Sequence, residues 1–394
     1  MRITFLAPRL PPTICGVADH TRFLAEAMVD KEIEVGFIHL KPLQPGGALP
    51  PGSVDQWNGS VANLRACVER QQPNWLWTQL SGYGYSRWGA PYRLWQGLKA
   101  LRRSHPNVFQ AVYVHETHCA PHHLGWKGLV LSPWQKFTVG TICRQAELVF
   151  TSTPSWQRIV TDVYGLHSDD VILLPIGTNI PVADLSPSER VVERSQHGHD
   201  ADKIIAVAFG SWATQLRVLN LFGKCLESAV RAGKLHRVIC IGGNGATPPA
   251  ALASRQSSGP LAGRLEILGY RKDTEVARIL SYCNLGLVQT PRHIICKSGA
   301  FHAMVANGLP VLVDGEGDPG YGLETLQGCI SPEQFEAESI SPATLAKWGS
   351  ELQELASAKF AWPQIAAKAI RYFDRRQSKD QRRHSLSGAS NAPL

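Results

Sequence analysis

The residues best suited to chemistry lie where short apolar segments give way to glycine, serine and charged residues. Lys297, Ser298 and Gly299 follow the apolar segment 284–289 and open the segment 299–307, which has helical spacing. A lysine, a hydroxyl and the free N–H groups of a helix N-terminus together suit a diphosphate. A capping serine beside a solvated lysine would give the same sequence, so both interpretations stay open.

Two other positions of this kind occur in the chain. Gly16 lies between the apolar segment 3–7 and a helical pattern at 17–30, where a glycine allows a ligand to approach the backbone. A plain tight turn, with Asp19 capping the helix, is the alternative. Ser211 follows the apolar segment 203–210, and Arg217 lies just beyond. Arg217 could neutralise a phosphate, although it could equally be solvated.

His115 and Glu116 end another apolar segment, 109–115. The carboxyl ends of strands are where α/β enzymes hold working groups, although a surface histidine is the alternative. His115 also begins the run HETHCAPHH, which contains zinc-type ligands. The spacing matches no common zinc pattern and Pro121 would break an aligning helix, so we expect no metal site. The later members of this run are His118, Cys119, His122 and His123.

Tyr83 and Tyr85 lie in the glycine-rich loop 81–89. Aromatic rings with polar tips can stack on a sugar, or they can simply pack the loop against the neighbouring helix. The two alternatives are equally compatible with the sequence.

The elements that must position these residues alternate between apolar strands and amphipathic helices. Strands are predicted at 3–7, 33–40, 75–80, 109–115, 148–152, 171–175, 203–210, 237–242, 265–268, 285–289 and 310–313. Helices are predicted between them, among them 91–103, 133–146, 216–232, 274–282 and 299–307. The pattern predicts an α/β protein with two parallel sheets. In such sheets ligands lie at the carboxyl ends of the strands.

Length and composition limit the class of protein. The chain has 394 residues, which favours two domains. The longest apolar runs are far shorter than the roughly 20 residues of a membrane span. Nine single cysteines without a CxxC pair are typical of a reducing compartment, so we expect a cytoplasmic protein. The net charge is +8, and residues 371–384 hold six Lys or Arg against two Asp. This basic tail suggests a peripheral membrane contact.

Several segments resemble the sequence motifs of GT-B glycosyltransferases, and those of glycosyltransferase family 4 in particular. They are RITFLAPRLPPTICGVADHTRFLAEAM, YVHE, LLPIGTNIP and YCNLGLVQTP…KSGAFHAMVANGLPVLV. The last is the most specific, and it is a KSG variant of the family's donor-binding block. The similarity runs from residue 1 to about 372.

The resemblance implies a GT-B fold of two Rossmann-like domains with parallel sheets facing a central cleft. The expected division is an acceptor-side domain at 1–182, a linker at 183–202 and a nucleotide-sugar-binding domain at 203–355. A helix at 356–376 would pack back on the first domain, and 377–394 would be a disordered basic tail. The implied reaction moves a sugar from a nucleotide-diphosphate sugar to a glycan, lipid-linked or small-molecule acceptor. Retention of anomeric configuration is implied, with no metal and no cofactor besides the sugar donor.

The resemblance also distributes roles among the candidate residues. His115 matches the strand-end histidine that contacts the donor sugar, which makes it the catalytic candidate. The donor-binding candidates are Gly16, Ser211, Arg217, Lys297, Ser298 and Gly299. The acceptor-side candidates are Asp19, Tyr83, Tyr85 and Glu116.

Two departures from the family pattern stand out. Ser211 replaces the family's arginine, while Arg217 falls at the position of its lysine. The family's paired glutamates are replaced by Ile295 and Ala303. The replacement of the glutamates is compatible with a donor site that is weakened or altered.

Three alternatives follow from these features. The missing glutamates favour a non-catalytic member of the fold that binds a nucleotide sugar or a partner. An epimerase of the same fold would need carboxylates in the cleft, for which Glu116 is the one candidate. Net charge would suit a nucleic-acid binder, but no recognised motif supports one, so we expect no nucleic-acid partner.

Overall fold

The computed structural model describes residues 1–13, 15–44, 50–121, 125–196, 202–243, 245, 247–337 and 340–389. Backbone contacts divide the chain into two compact units. Unit 1 comprises Met1–Pro175 and Trp362–Leu394, and unit 2 comprises Ile176–Ala361. His122 and His123 of the histidine run and residues 390–394 of the expected tail lie outside the described residues.

Unit 1 is built on a parallel sheet of seven strands in the order β3-β2-β1-β4-β5-β6-β7. The strands are β1 Arg2–Ala7, β2 Glu34–His39, β3 Ser53–Gln56, β4 Trp75–Leu80, β5 Phe109–Val114, β6 Leu148–Thr151 and β7 Val171–Leu173. The helices are α1 Gly16–Val29, α2 Val61–Gln71, α3 Gly82–Tyr85, α4 Tyr92–Ser104, α5 Trp126–Gln145 and α6 Pro154–Arg158.

The last helix of the chain, α14 (Trp362–Ala389), also belongs to unit 1. Phe373 is fully buried, with its ring centroid 4.6 Å from that of Trp75 and 5.0 Å from that of Trp77. Lys368 Nζ donates a hydrogen bond to the carbonyl of Leu173 at 2.8 Å. Because alternate strand residues face opposite sides, Leu6, Leu76 and Leu80 pack instead against α2, α4 and α5.

Unit 2 is built on a parallel sheet of six strands in the order β10-β9-β8-β11-β12-β13. The strands are β8 Ile204–Phe209, β9 Leu235–Ile241, β10 Leu265–Gly269, β11 Leu285–Val288, β12 Val311–Val313 and β13 Cys329–Ile330. The helices are α7 Pro187–Gln196, α8 Trp212–Arg231, α9 Ala250–Ser257, α10 Asp273–Tyr282, α11 Gly299–Ala306, α12 Pro332–Ala337 and α13 Pro342–Lys359.

The buried strands of unit 2 have helices on both faces. In β8, Ile205 and Val207 join one core cluster, whereas Ile204 and Ala206 join the other. Strands that are buried on both faces are apolar throughout, which is why their sequences show no alternation. The α/β class with two parallel sheets, expected from the sequence, is confirmed.

Every predicted strand is present, but the sequence analysis did not predict β3 and β13. β3 has the sequence SVDQ, lies at the sheet edge and has no buried residue. β13 has two residues. An exposed polar edge strand and a two-residue strand carry no hydrophobic pattern, so neither could be predicted from periodicity.

Helix α5 begins at Trp126, seven residues before the start predicted at 133, and Pro133 lies inside it. A proline removes the hydrogen bond to the carbonyl four residues earlier, here that of Leu129. The Leu129 side chain is 67% exposed, so this carbonyl lies on the solvent side of the helix. Water can therefore replace the missing bond.

The segment expected to be a linker contains α7, with residues 197–201 outside the described part. Ser186 and Glu189 form a reciprocal capping pair: the Ser186 N–H donates to Glu189 Oε2 at 2.7 Å, and the Glu189 N–H donates to Ser186 Oγ at 3.3 Å. Arg194 Nε donates to the carbonyl of Tyr282 at 2.8 Å, which attaches α7 to unit 2.

The C-terminal segment also differs from expectation. Residues 377–389 continue α14 instead of forming a disordered tail. Residues 364–387 contain neither glycine nor proline, and they include many long side chains with good helix propensity. The expected helix at 356–376 is divided, because residues up to 361 lie with α13 in unit 2. Among the described residues, no helix is long and apolar enough to cross a bilayer.

Candidate functional site

The direction of strand progression reverses between β8 and β11 in unit 2. From β8 the chain adds β9 and β10 on one side, and from β11 it adds β12 and β13 on the other. In open parallel sheets, the crevice beyond the carboxyl ends at such a reversal is the usual ligand site. Helix α8 follows β8 directly, and α11 follows β11 after a short 3-10 helix, Arg292–Lys297.

Ser211 begins helix α8 at this crevice. Its Oγ accepts a hydrogen bond from the Thr214 N–H at 3.3 Å and lies 3.0 Å from Thr214 Oγ1. Gln215, fully buried, donates from Nε2 to the carbonyl of Gly210 at 2.9 Å and to that of Ile241 at 3.0 Å. One amide therefore fixes the ends of β8 and β9. The sequence analysis did not identify Gln215, since its two partners lie at the ends of different strands.

Glycines form the backbone at the same edge. Gly210 has φ +141° and Gly243 has φ +121°. A Cβ atom on Gly242 would lie 2.5 Å from the carbonyl oxygen of Gly210, and one on Gly243 would collide with the Trp212 ring. The two strand ends can approach this closely only because these positions lack side chains.

Arg217 extends from the second turn of α8 to the end of β11. Its Nε donates to Gln289 Oε1 at 2.5 Å, across 72 residues of sequence. The Arg217 side chain is exposed at this edge. Gln289 thus orients the guanidinium group, a role that nothing in the sequence indicated.

The Lys297–Gly299 triplet lies at the start of α11. Ser298 caps α11, with its Oγ accepting from the Phe301 N–H at 3.3 Å. Gly299 is the first helical residue, and a Cβ there would meet only Asn179 Oδ1, at 3.7 Å. That oxygen is buried and accepts no hydrogen bond from any residue that the structure describes. Buried acceptors are almost always satisfied, so the position is suited to a donor group from a ligand.

The two positions that replace the family's glutamates point into the core. Ile295 and Ala303 have no exposed surface, and both belong to the cluster packed between the sheet and α13. Beside them, His302 is buried, with Nε2 2.9 Å from the carbonyl oxygen of Cys296. Burial lowers the pKa of His302 to about 4, so its ring is neutral at pH 7.

In unit 1 the strand order reverses between β1 and β4. His115 follows the next strand, β5, and its backbone N–H donates to the carbonyl of Leu80. Its Nε2 lies 2.9 Å from Oε1 of Gln79, which holds the ring by a hydrogen bond. Desolvation lowers the pKa of His115 to about 3, which leaves a neutral imidazole.

Aromatic rings surround His115. The His20 ring centroid lies 4.8 Å away, edge-on, and the Tyr113 centroid lies 4.6 Å away. The His20 ring in turn contacts Trp362 of α14 at 5.3 Å. The sequence analysis did not identify His20, because a buried histidine inside a helical pattern resembles any other core position. These contacts fix the orientation of the His115 ring.

Of the other candidates in unit 1, some are accessible to a ligand, whereas the hydroxyl of Tyr85 is buried and already forms a hydrogen bond within the protein. Gly16 is exposed as the first residue of α1, where a Cβ would meet no neighbouring atom within 4 Å, and Asp19 lies in the same first turn. Tyr85 donates its hydroxyl to the carbonyl of Leu6 at 2.7 Å, and its burial raises the pKa of the phenol. The Tyr85 hydroxyl therefore holds the loop to β1.

Tyr83 and Glu116 remain accessible. The Tyr83 side chain is 49% exposed, and its hydroxyl accepts from Gln135 Nε2 at 3.1 Å. Glu116 is exposed and accepts from Ser81 Oγ at 2.8 Å. Both lie with His115 at the carboxyl edge of the unit 1 sheet. Among the described residues, no group of three or more His, Cys, Asp or Glu could hold a metal ion.

Comparison with known proteins supports the fold. No family model matches the chain, and no curated protein matches it. Among solved structures, sucrose-phosphate synthase from Thermosynechococcus elongatus matches with a TM-score of 0.69 and 14% identity, over 96% of this chain and 100% of that one. Anabaena HepE in complex with UDP-glucose matches with a TM-score of 0.63 and 16% identity, over 95% and 100%.

WaaG, a glycosyltransferase involved in lipopolysaccharide biosynthesis, matches with a TM-score of 0.61 and 12% identity, over 93% of this chain and 99% of that one. The chain therefore has the GT-B fold. Sequence identity this low shows the fold alone.

Proposed function

We propose that the chain is a glycosyltransferase that moves a sugar from a nucleotide-diphosphate sugar to a glycan, lipid-linked or small-molecule acceptor. The observation that carries the proposal is the edge of unit 2 at the β8/β11 reversal. There the N-termini of α8 and α11 and the guanidinium group of Arg217 occur at one sheet edge, and Lys297 directly precedes the cap of α11.

The chemistry of this edge suits a leaving nucleoside diphosphate. Transfer of the sugar breaks the bond between its anomeric carbon and the diphosphate, so negative charge develops on the phosphate oxygen. Helix N-termini and cations stabilise that charge without needing a metal ion. Retention of anomeric configuration and metal independence are part of the proposal and are supported by the family resemblance alone. HepE, with the same fold, binds UDP-glucose, which makes UDP sugars the first donors to test.

The acceptor side of the proposal rests on unit 1. Glu116 and Tyr83 are accessible polar groups, and Gly16 and Asp19 open α1 at the same sheet edge. The contact of His115 with the transferred sugar is a prediction from the resemblance. A neutral ring, held through Nε2 by Gln79, suits the orientation of a sugar hydroxyl.

A non-catalytic nucleotide-sugar-binding protein is the second candidate. Ile295 and Ala303 are fully buried where the family has glutamates, so neither position offers a polar group to a ligand. A protein of this kind would bind the donor and release no product.

The test is donor turnover. Purified protein is incubated with UDP-, GDP- and ADP-linked sugars and a panel of glycan, lipid-linked and small-molecule acceptors, with Mg²⁺ or with EDTA, and the released nucleoside diphosphate is quantified. We expect release with one class of nucleotide, unaffected by EDTA, and a product whose anomeric proton coupling shows retention. Binding without release would favour the non-catalytic candidate, and a requirement for metal would contradict the proposed metal independence.

Variants localise the activity to the proposed edge. Arg217→Ala should weaken donor binding about 10- to 100-fold, since a hydrogen bond to a charged group contributes about 1.5–3 kcal/mol. Arg217→Lys should restore part of it, because the charge remains while the fork of donors is lost. Lys224→Ala is the matched control, since Lys224 is an exposed cation on the same helix. If Lys224→Ala weakened donor binding as much as Arg217→Ala does, the assignment of Arg217 to the donor site would be contradicted.

A further inference from the structure

Helix α5 is apolar on two opposite sides. Its inner side packs into the core of unit 1, where Val139, Ile142 and Cys143 are at most 1% exposed. Its outer side carries five large apolar side chains that are 42–75% exposed. A helix that is apolar all round is normally buried on all sides. The five residues, here called the α5 outer face, are Trp126, Leu129, Val130, Trp134 and Phe137.

The α5 outer face is bordered by lysines. At 3.6 residues per turn its five side chains cover an arc of roughly 140°. Lys127 and Lys136 lie just beyond this arc, one on each side, and both are exposed. Lys127 Nζ lies 5.9 Å from the centroid of the Trp126 ring. An apolar stripe between two cations is the arrangement of a helix that lies at a membrane interface.

Helix α4 extends this surface. The Trp95 ring lies 5.7 Å from that of Phe137 and 5.2 Å from that of Tyr92, which is 43% exposed. Lys99 Nζ lies 5.4 Å from the Trp95 ring centroid. Tryptophan and tyrosine are the residues enriched at the boundary between lipid and water.

The two helices are strongly basic. Together α4 and α5 contain seven Lys or Arg and no Asp or Glu, in a chain whose net charge is +8. Arg102 is paired with Glu147 at 3.1 Å, which leaves six cations not neutralised in this way. A two-fold contact between two copies of this face would bring like charges together, which is unfavourable. An anionic surface would instead be attracted. The seven are Arg93, Lys99, Arg102, Arg103, Lys127, Lys136 and Arg144.

We propose that α4 and the α5 outer face dock the protein on an anionic lipid bilayer. Trp126, Leu129 and Val130, the most exposed of the five, enter the headgroup region, and Lys127 and Lys136 contact lipid phosphates. The membrane contact that the sequence suggested for the C-terminal tail is thereby placed on α4 and α5 instead of α14. The docking does not depend on the proposed transferase activity, and it can be measured without any sugar donor.

The docking face adjoins the candidate acceptor residues. Gln135 of α5 is buried, and its Oε1 accepts from the Cys119 N–H at 2.9 Å. Its Nε2 donates to the Tyr83 hydroxyl and to the Trp88 carbonyl, the latter at 2.8 Å. Helix α5 is thus held to the loop at the carboxyl edge of the sheet. If the proposed function holds, this position favours a lipid-linked acceptor presented from the bilayer.

The experiment is flotation of the full chain with lipid vesicles. One set contains phosphatidylcholine alone, and the other contains about one-third phosphatidylglycerol. We expect binding to the anionic vesicles that weakens as salt rises. Leu129→Glu with Val130→Glu should weaken binding at least about 100-fold, because two inserted apolar groups become charged. Both side chains are exposed, so the fold should tolerate the change.

Three comparisons make the result specific. Leu221→Glu, at a 42% exposed leucine of α8, should leave vesicle binding unchanged. Lys127→Gln with Lys136→Gln should weaken binding about fivefold for each charge removed. Arg375→Gln with Lys379→Gln, in α14, should have little effect.

Three outcomes would overturn the proposal. The first is no binding to either vesicle set. The second is binding that survives the double glutamate variant and disappears with the α14 variant, which would place the contact on the tail. The third is a dimer, seen by sedimentation, that the double glutamate variant converts to a monomer without vesicle binding, since a second copy would then cover the face.

Discussion

Asn307→Ala tests how the structure holds the first segment of unit 2, which contains Pro181 and Ala183. Asn307 ends α11, in the ANGLPV sequence, and is 2% exposed. Its Oδ1 accepts from the Ala183 N–H at 2.9 Å. Its Nδ2 donates to the carbonyl of Pro181 at 3.2 Å and to that of Ala303 at 2.9 Å.

The expected loss follows from those three hydrogen bonds. A typical intramolecular hydrogen bond contributes about 1 kcal/mol, so the three together contribute about 3 kcal/mol. The further penalty is small for the two carbonyls that lose a donor. Pro181 is exposed, so water can reach its carbonyl, and the carbonyl of Ala303 also accepts from the Asn307 backbone N–H. We therefore expect the free energy of unfolding of unit 2 to fall by about 3 kcal/mol.

Differential scanning calorimetry provides the assay. Unit 2 spans Ile176–Ala361. For a domain of 150–250 residues each kcal/mol lowers the midpoint by about 2–4 °C, so a shift of about 6–12 °C is expected. Asn220→Ala is the control, because exposed Asn220 of α8 accepts one bond from Arg255. If the midpoint of Asn307→Ala shifts no more than that of this control, the stabilising role assigned to the Asn307 hydrogen bonds is refuted.

Further predictions concern pH and packing. The pKa of His302 is about 4 when folded and near 6.5 when unfolded, so stability should fall as pH drops from about 6.5 towards 4. Between pH 7 and pH 5, the melting temperature of the His302→Gln variant should fall less than that of the wild type. The His115 ring should show no titration by NMR between pH 5 and pH 8, and a midpoint near 6.5 would contradict its desolvation. Gly243→Ala should lose about 1–3 kcal/mol in urea unfolding through collision with Trp212, whereas Gly223→Ala, in open space within α8, should gain up to about 1 kcal/mol.

The sequence predicted the strands of both sheets because a strand buried on both faces is a continuous apolar run. β8, with its sequence IIAVAF, is such a run. β3 could not be found, because its polar residues lie at an exposed edge. The early start of α5 was missed for the opposite reason. Its outer residues are apolar yet exposed, so the segment lacks the polar face that marks a surface helix.

The candidate site was predicted only where it depends on local sequence. Ser298 caps α11, which the sequence had left open as an alternative for this residue, and such a cap can be anticipated because capping involves neighbours three residues apart. The partners of Arg217 and His115 could not be predicted, because Gln289 and Gln79 lie 72 and 36 residues away in sequence. Tyr85 illustrates the same limit: its hydroxyl bonds to Leu6, 79 residues away, which loop composition could not indicate.

Calorimetric titration of UDP, and then of GDP and ADP, is the most direct test of the claim that unit 2 binds a nucleoside diphosphate at the β8/β11 reversal. We predict saturable binding of one of them at a single site, weakened about 10- to 100-fold by Arg217→Ala and by Lys297→Ala. Lys224→Ala should leave that affinity unchanged. No binding at millimolar concentration, or equal affinity in all three variants, would contradict the account.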